Sequence, residues 1–142
     1  MLTLELDLDQ DIYQPGAPVT VDLTLANTGP DPALVKSRLA LNAPLVPAAF
    51  RDIAFVVTDP AGSALAFNAR VNVGLPKAKD FKDLAAGEII VREYAIDQFY
   101  TLAGPGRYTV QAVYQNQSDP PDGRAAWQGE LRSNLIAFEV AE

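Results

Sequence analysis

Apolar residues fall on alternate positions through most of this chain. Leu2, Leu4, Leu6 and Leu8 share one parity, and Glu5, Asp7, Asp9 and Asp11 share the other. A period of two places successive side chains on opposite faces of a strand. Residues 1–12 are therefore expected as a strand with one buried leucine face and one solvated acidic face. Residues 18–27 repeat the pattern, with Val19, Val21, Leu23 and Leu25 inward and Thr20, Asp22 and Thr24 outward. Strands are also expected over 34–42 (Val35, Leu39 and Leu41 on one side), over 53–58, and over 64–73 (Leu65, Phe67, Ala69, Val71 and Val73 inward). In 88–95 both parities are apolar, Ile90 and Tyr94 against Ile89 and Val91, which suggests a strand covered on both sides. Tyr108, Val110, Ala112 and Tyr114 alternate after a Gly-Pro-Gly turn in 104–116, a half-buried strand near the centre of the fold. In 126–140, Leu131 is out of step with Ile136, Phe138 and Val140, so a bulge is expected near Arg132-Ser133-Asn134.

The breaks carry turn chemistry. Tyr13-Gln14-Pro15-Gly16 and Asp59-Pro60-Ala61-Gly62 read as turns, because Pro presets φ and Gly accepts a positive one. Residues 27–32 are loop. Residues 42–52 form an irregular connection, with Pro44 and Pro47 unable to donate to a central ladder and Phe50 expected to plug one end. Phe81, Leu84 and Ala85 are spaced i, i+3, i+4, so one or two helical turns are expected near 77–86. A single turn near 97–102 would take Asp97 as its N-cap. Residues 117–125 are the most polar loop. The sum is an all-β chain of about seven to nine strands with no long helix, a pattern that favours a two-sheet Greek-key sandwich.

Composition narrows the chemistry more than it adds to it. The 142 residues, 49% hydrophobic and 20% charged, suit one domain spanning 1–142. There is no Cys and no His. Zinc sites of the usual kind, disulfides and Ser-His or Cys-His nucleophiles are therefore excluded, and no catalytic residue or cofactor is expected. Some pair among the 18 acidic residues will always lie close together, so a glycosidase-like carboxylate pair has no weight here. The net charge is −7 and the 11 basic residues are scattered along the sequence. Neutralising phosphates takes clustered Lys and Arg, so neither nucleic acid nor anionic membrane is an expected partner. No stretch approaches the ~18 apolar residues of a spanning helix. Met1 runs straight into the first strand pattern with no leader-like region, an expectation of cytoplasmic location unless an export signal was removed.

Four features could act as sites. The acidic ridge Glu5, Asp7, Asp9 and Asp11 could reach for Ca²⁺, but next-but-one residues on a strand lie about 6.6–6.8 Å apart and fan along the sheet. It is read as a solvated face, and no metal ligand is assigned. The loop 118–124 carries Asp119, Asp122 and Arg124 beside the stiff pair Pro120-Pro121, a composition that lowers the ordering cost of binding. Trp127, Phe99, Tyr100 and Phe81 sit in or beside breaks, where an aromatic serves either as an interface anchor or as an end-cap of the core. Phe99, Tyr100, Asp119, Asp122, Arg124 and Trp127 are the residues expected to touch a protein partner.

Several stretches together resemble a bacterial immunoglobulin-like domain. They are Tyr13-Gln14-Pro15-Gly16 before the alternating strand Val19 to Asn27, then Val57-Thr58-Asp59-Pro60-Ala61-Gly62, Leu84-Ala85-Ala86-Gly87-Glu88 and Pro105-Gly106-Arg107-Tyr108-Thr109-Val110. The layout is similar to bacterial intracellular proteinase inhibitors and to small β-domains that accompany some metalloproteases. It covers roughly residues 10–116. Such domains place a tyrosine corner where Tyr108 stands. The resemblance implies a fold and a non-enzymatic protein–protein interaction or structural accessory module, using end loops and any uncovered edge strand. A proteinase inhibitor acting through 42–52 or 118–124, and a calcium-stabilised or carbohydrate-binding module, are the alternatives. No inhibitory loop motif matches residue by residue.

Overall fold

The computed structural model describes residues 1–41, 51–68 and 74–142. The fold is all-β, and the described residues form three sheets around one core. The first sheet has the order β1 (Leu2–Leu8), β3 (Thr20–Asn27), β7 (Ile89–Ala95), all antiparallel. The second has the order β2 (Ile12–Tyr13), β10 (Ile136–Val140), β8 (Gly106–Asn116), β5 (Ile53–Thr58), and β9 (Gly129–Arg132) also pairs with β8. A two-stranded sheet joins β4 (Ala33–Lys36) to β6 (Phe81–Leu84). The alternating residues meet between the two larger sheets. Leu2, Leu4, Leu6, Val21, Leu23 and Leu25 come from one side, and Phe55, Val57, Tyr108, Val110, Tyr114 and Phe138 from the other.

β8 is the central strand of its sheet, as its pattern suggested. At its start the Tyr108 hydroxyl donates to the Gly104 carbonyl at 2.7 Å and lies 3.2 Å from the Gly104 N–H, closing the turn that feeds the strand. The bulge is also present. Val113 pairs with Arg132 and Val110 with Ile136, so three steps along β8 face four along its partner. Ser133 fills the gap. Its N–H donates to the Ala112 carbonyl at 2.9 Å, and its hydroxyl accepts the Ala112 N–H at 2.8 Å in place of the carbonyl that the bulge displaces.

The next residue ties the two large sheets together. The Asn134 side-chain oxygen accepts the Leu6 N–H at 2.8 Å, and its nitrogen donates to the Leu6 carbonyl at 3.1 Å. One amide thus stands in for a neighbouring strand on the outer edge of β1.

Several expectations need correction. The first strand does not run through residue 12. It ends at Leu8, and after three connecting residues Ile12 and Tyr13 pair parallel to β10 in the other sheet. The crossing is held by the Tyr13 hydroxyl on Asp9 (2.9 Å) and the Glu139 N–H on the Asp11 carbonyl (2.8 Å). Tyr13, placed in a turn by its neighbours, is buried and meets Phe138 edge-on. The turn itself lies one residue later, closed by the Ala17 N–H on Gln14 O with Gly16 at φ +79°.

Of the third expected strand, 34–42, residues 34–36 form ladder within β4, Leu39 holds φ +49°, the left-handed region, Leu41 makes one bridge to Ile53, and residue 42 lies outside the described residues. Of 64–73, Ala64 makes one bridge to Thr58 and 65–68 are irregular, while Ala69, Val71 and Val73 lie outside the described residues. Phe50, Pro44 and Pro47 also lie outside them. Phe81 and Leu84 belong to strand β6, not to helical turns, and the only helical geometry nearby is a 3-10 turn at Ala78–Asp80. Pairing with β4 buries both side chains and overrides their helical spacing. The later turn is 3-10 over Ile96–Gln98, and Asp97 does not cap it. Its carboxylate accepts the Val19 N–H at 2.9 Å instead. Finally, β7 is covered on one face only, with Ile89 54% and Val91 48% exposed.

Candidate functional site

The loop 117–128 contains Asp119, Asp122, Arg124 and Trp127. Its base is closed by Asn116, wholly buried at the end of β8, whose side-chain nitrogen donates to Ser118 O at 2.9 Å and to Trp127 O at 2.7 Å. Asp119 accepts the Ala126 N–H at 2.8 Å and the Gln128 side chain at 3.1 Å. The tip turns through the Gly123 N–H on Pro120 O, with Gly123 at φ +88° and Pro120 buried beneath.

Asp122 takes Arg124 at 2.7 Å on one oxygen, and this guanidinium holds its carboxyl below the usual carboxylate range. Arg124 also reaches Ala78 O at 3.3 Å, which docks the tip on the segment before β6. Trp127 is half-buried. It stacks on Tyr114 at 5.7 Å and donates its backbone N–H to Leu34 O at 2.8 Å. The loop is long and polar, yet tied at its base, its tip and its return.

Phe99 and Tyr100 belong elsewhere. Phe99 is half-buried and stacks on Phe67 at 5.8 Å. Tyr100 is 3% exposed, its hydroxyl donates to Phe55 O at 2.9 Å, and burial pushes its pKa up to about 12. It is a core residue with no surface to offer a partner, because its hydroxyl already serves the buried β5 backbone. Phe81 is likewise buried.

Two charge groupings are invisible in the one-dimensional pattern. The β1 ridge does fan as expected, but strand pairing adds a row across the sheet: Asp7 faces Asp22, and Asp22 faces Glu93. Among the described residues no group of acidic side chains is arranged to hold a metal ion. The second grouping is buried. Lys36 Nζ lies 3.0 Å from Asp52 Oδ1, and both side chains are fully buried. Arg38 binds the same carboxylate through Nε at 2.7 Å and Nη2 at 3.0 Å, the Ala40 N–H adds 3.1 Å, and Lys36 Nζ also donates to Arg51 O. Burial lowers the Lys36 amine below the usual lysine range, with Asp52 acting the other way and Arg38 adding to the fall. The alternation of 34–42 put Val35, Leu39 and Leu41 inward and gave no sign that Lys36 is buried as deeply as they are.

No known protein family model matches this chain, and no curated protein matches it. Among solved structures it is similar to the alkylpurine DNA glycosylase AlkC of Pseudomonas fluorescens, bound to DNA containing an abasic site analog. The identity is 16% and the TM-score 0.46, over 99% of this chain and 30% of that one. This chain therefore spans less than a third of its neighbour's length. A DNA-bound enzyme does not fit the expected non-enzymatic protein-interaction module with no nucleic-acid partner. The protein-interaction assignment and the expectation of no nucleic-acid partner are withdrawn, together with the inhibitor, calcium and carbohydrate alternatives. At this TM-score the likeness assigns neither DNA binding nor catalysis to the chain. No helix among the described residues is long and apolar enough to cross a membrane.

Proposed function

We propose that residues 1–142 form a single immunoglobulin-like Greek-key β-sandwich of the bacterial kind, without catalytic chemistry of its own, in which the loop 117–128 is the recognition element. Three features support the fold reading. The sheet orders are β1-β3-β7 and β2-β10-β8-β5, the chain switches sheets between β1 and β2, and the Tyr108 hydroxyl bonds back to Gly104 at the start of β8. Support for the non-catalytic reading comes from the lack of His and Cys and from the recesses. One of about 480 Å³ at the β2–β3 turn is lined by apolar residues and backbone of Pro15, Leu102, Gly104, Pro105 and Val140, with Glu142 as its one ionisable side chain and no hydroxyl or amine nucleophile.

The observation that carries the recognition reading is the pre-ordering of the loop. Asn116, Asp119 and the Asp122–Arg124 pair fix its shape without a ligand, so little conformational entropy remains to be lost on binding. Trp127 is the only tryptophan in the chain and lies at the loop's return, so its emission reports on the site. The test is titration with duplex and single-stranded oligonucleotides and with peptide pools while Trp127 fluorescence is followed. A saturable change with one ligand class, lost in the Asp122→Ala/Arg124→Ala double variant, supports the reading. A ligand that binds equally well to that variant and leaves Trp127 unmoved places recognition elsewhere.

A further inference from the structure

The pair Lys36–Asp52 has no part in that loop, and it brings an amine and a carboxylate together beneath the solvent-exposed surface. We propose that Lys36 and Asp52 are the two halves of an intramolecular amide cross-link, which forms in the folded chain without a cofactor. Nζ and Oδ1 are 3.0 Å apart with both side chains at 0% exposure. Each backbone is pinned independently: the Tyr114 hydroxyl donates to Lys36 O at 2.8 Å, and the Gln115 N–H donates to Asp52 O at 2.9 Å. Holding two reacting groups in one orientation turns a slow bimolecular condensation into a unimolecular one. The effect of burial on the amine favours the neutral, nucleophilic form.

The step balances within the site. A proton passes from the Lys36 ammonium to Asp52 Oδ1 along their contact, and the freed Nζ lone pair attacks Cγ. The negative charge of the tetrahedral intermediate collects on Oδ2. That oxygen faces Arg38 Nε at 2.7 Å and the Ala40 N–H at 3.1 Å, donors already in place for it. Arg38 is itself held by Gly74 O at 2.9 Å. A second proton then moves from Nζ to Oδ1, the Cγ–Oδ1 bond breaks, and one water leaves. One hydrogen stays on the new amide nitrogen. The positive and negative charges of the pair cancel, and no oxidant or co-reactant is consumed. The product closes the chain between the end of β4 and the start of β5.

The test is the intact mass of the purified protein after denaturation. The expected value is the sequence mass less one water, with a branched peptide joining the Lys36 and Asp52 segments after peptic digestion. Lys36→Met should keep its full sequence mass. If the native protein has the full sequence mass after prolonged incubation in the folded state, the pair is a buried ion pair only and the proposal fails. It fails equally if Lys36→Met also loses water, since the loss then arises at another residue.

Discussion

Asp22 lies directly opposite Asp7 across the β1–β3 ladder, with Glu93 facing it from the other side. Like charges placed opposite one another on a sheet are destabilising by roughly 0.2–1 kcal/mol per pair. Asp22 takes part in both pairs, so Asp22→Thr should stabilise the fold by about 1 kcal/mol in urea unfolding at low salt. The gain should shrink in 1 M salt, where charges are screened over about 3 Å. A variant no more stable than the parent at low salt would show that the row carries no repulsion.

Tyr108→Phe removes the hydroxyl that binds Gly104 while keeping the ring stacked on Phe138 at 5.5 Å. Tyr108 is 2% exposed, so the Gly104 carbonyl would lose its partner in a part-buried setting. The expected cost is about 1–3 kcal/mol, with an unchanged denaturant slope. A neutral result would mean that the hydroxyl does not hold the corner.

Asn134→Ala should cost about 1–3 kcal/mol, since it leaves both the N–H and the carbonyl of Leu6 without their partner. Hydrogen exchange distinguishes this loss from general destabilisation. The Leu6 amide should lose protection more than its neighbours Leu4 and Leu8, and a uniform loss along β1 would contradict the bridging role.

Alkaline pH should unfold the protein. Burial raises Tyr13 and Tyr100 to about 12, so between about pH 10 and 12 the folded chain holds protons that the unfolded chain has released. Their stabilising share is complete below pH 10 and is lost as pH rises through the folded value. In chains whose Lys36 amine is still free, its titration acts in the opposite sense: lowered by burial, it contributes less unfavourably as pH rises towards 10.5. Thermal midpoints should therefore fall above pH 10, and Tyr100→Phe should make that fall shallower. Tyrosinate absorbance should appear together with unfolding; ionisation well before unfolding would overturn the assignment.

The strands β3, β5, β7 and β8 were legible in the sequence because their alternation and their flanking turn residues agree. The parts that were not legible depend on pairing across the chain. Leu2–Leu8 and Tyr13 look continuous in sequence, and only the sheet switch between them separates them. Phe81 and Leu84 have helical spacing, which pairing with β4 overrides. Asp7, Asp22 and Glu93 are 15 and 71 positions apart, so no local pattern could join them. The same holds for Lys36 and Asp52. The loop 117–128 was legible as a candidate because its Pro, Asp and Arg content is local, and its stiffness comes largely from bonds within it. Tyr100 was misread as a surface residue because a break in the pattern resembles a surface from sequence alone.

The extra residue between β9 and β10 gives the sheet something like a reading frame. Against β8, whose even-numbered residues Tyr108, Val110, Ala112 and Tyr114 face inward, Leu131 enters on an odd number while Ile136 and Phe138 enter on even ones. The bulge is the single place where the count changes. Deleting one residue among Ser133, Asn134 and Leu135 would close the frame: three steps along β8 would then face three along its partner, and Leu131 would keep facing Tyr114 while Ile136 keeps facing Val110 in an unbroken ladder. Deleting two would leave two steps against three, so either Leu131 or the set Ile136, Phe138 and Val140 would be turned out to solvent. This seam should therefore tolerate the loss of one residue, giving up only the serine and asparagine contacts, and reject the loss of two.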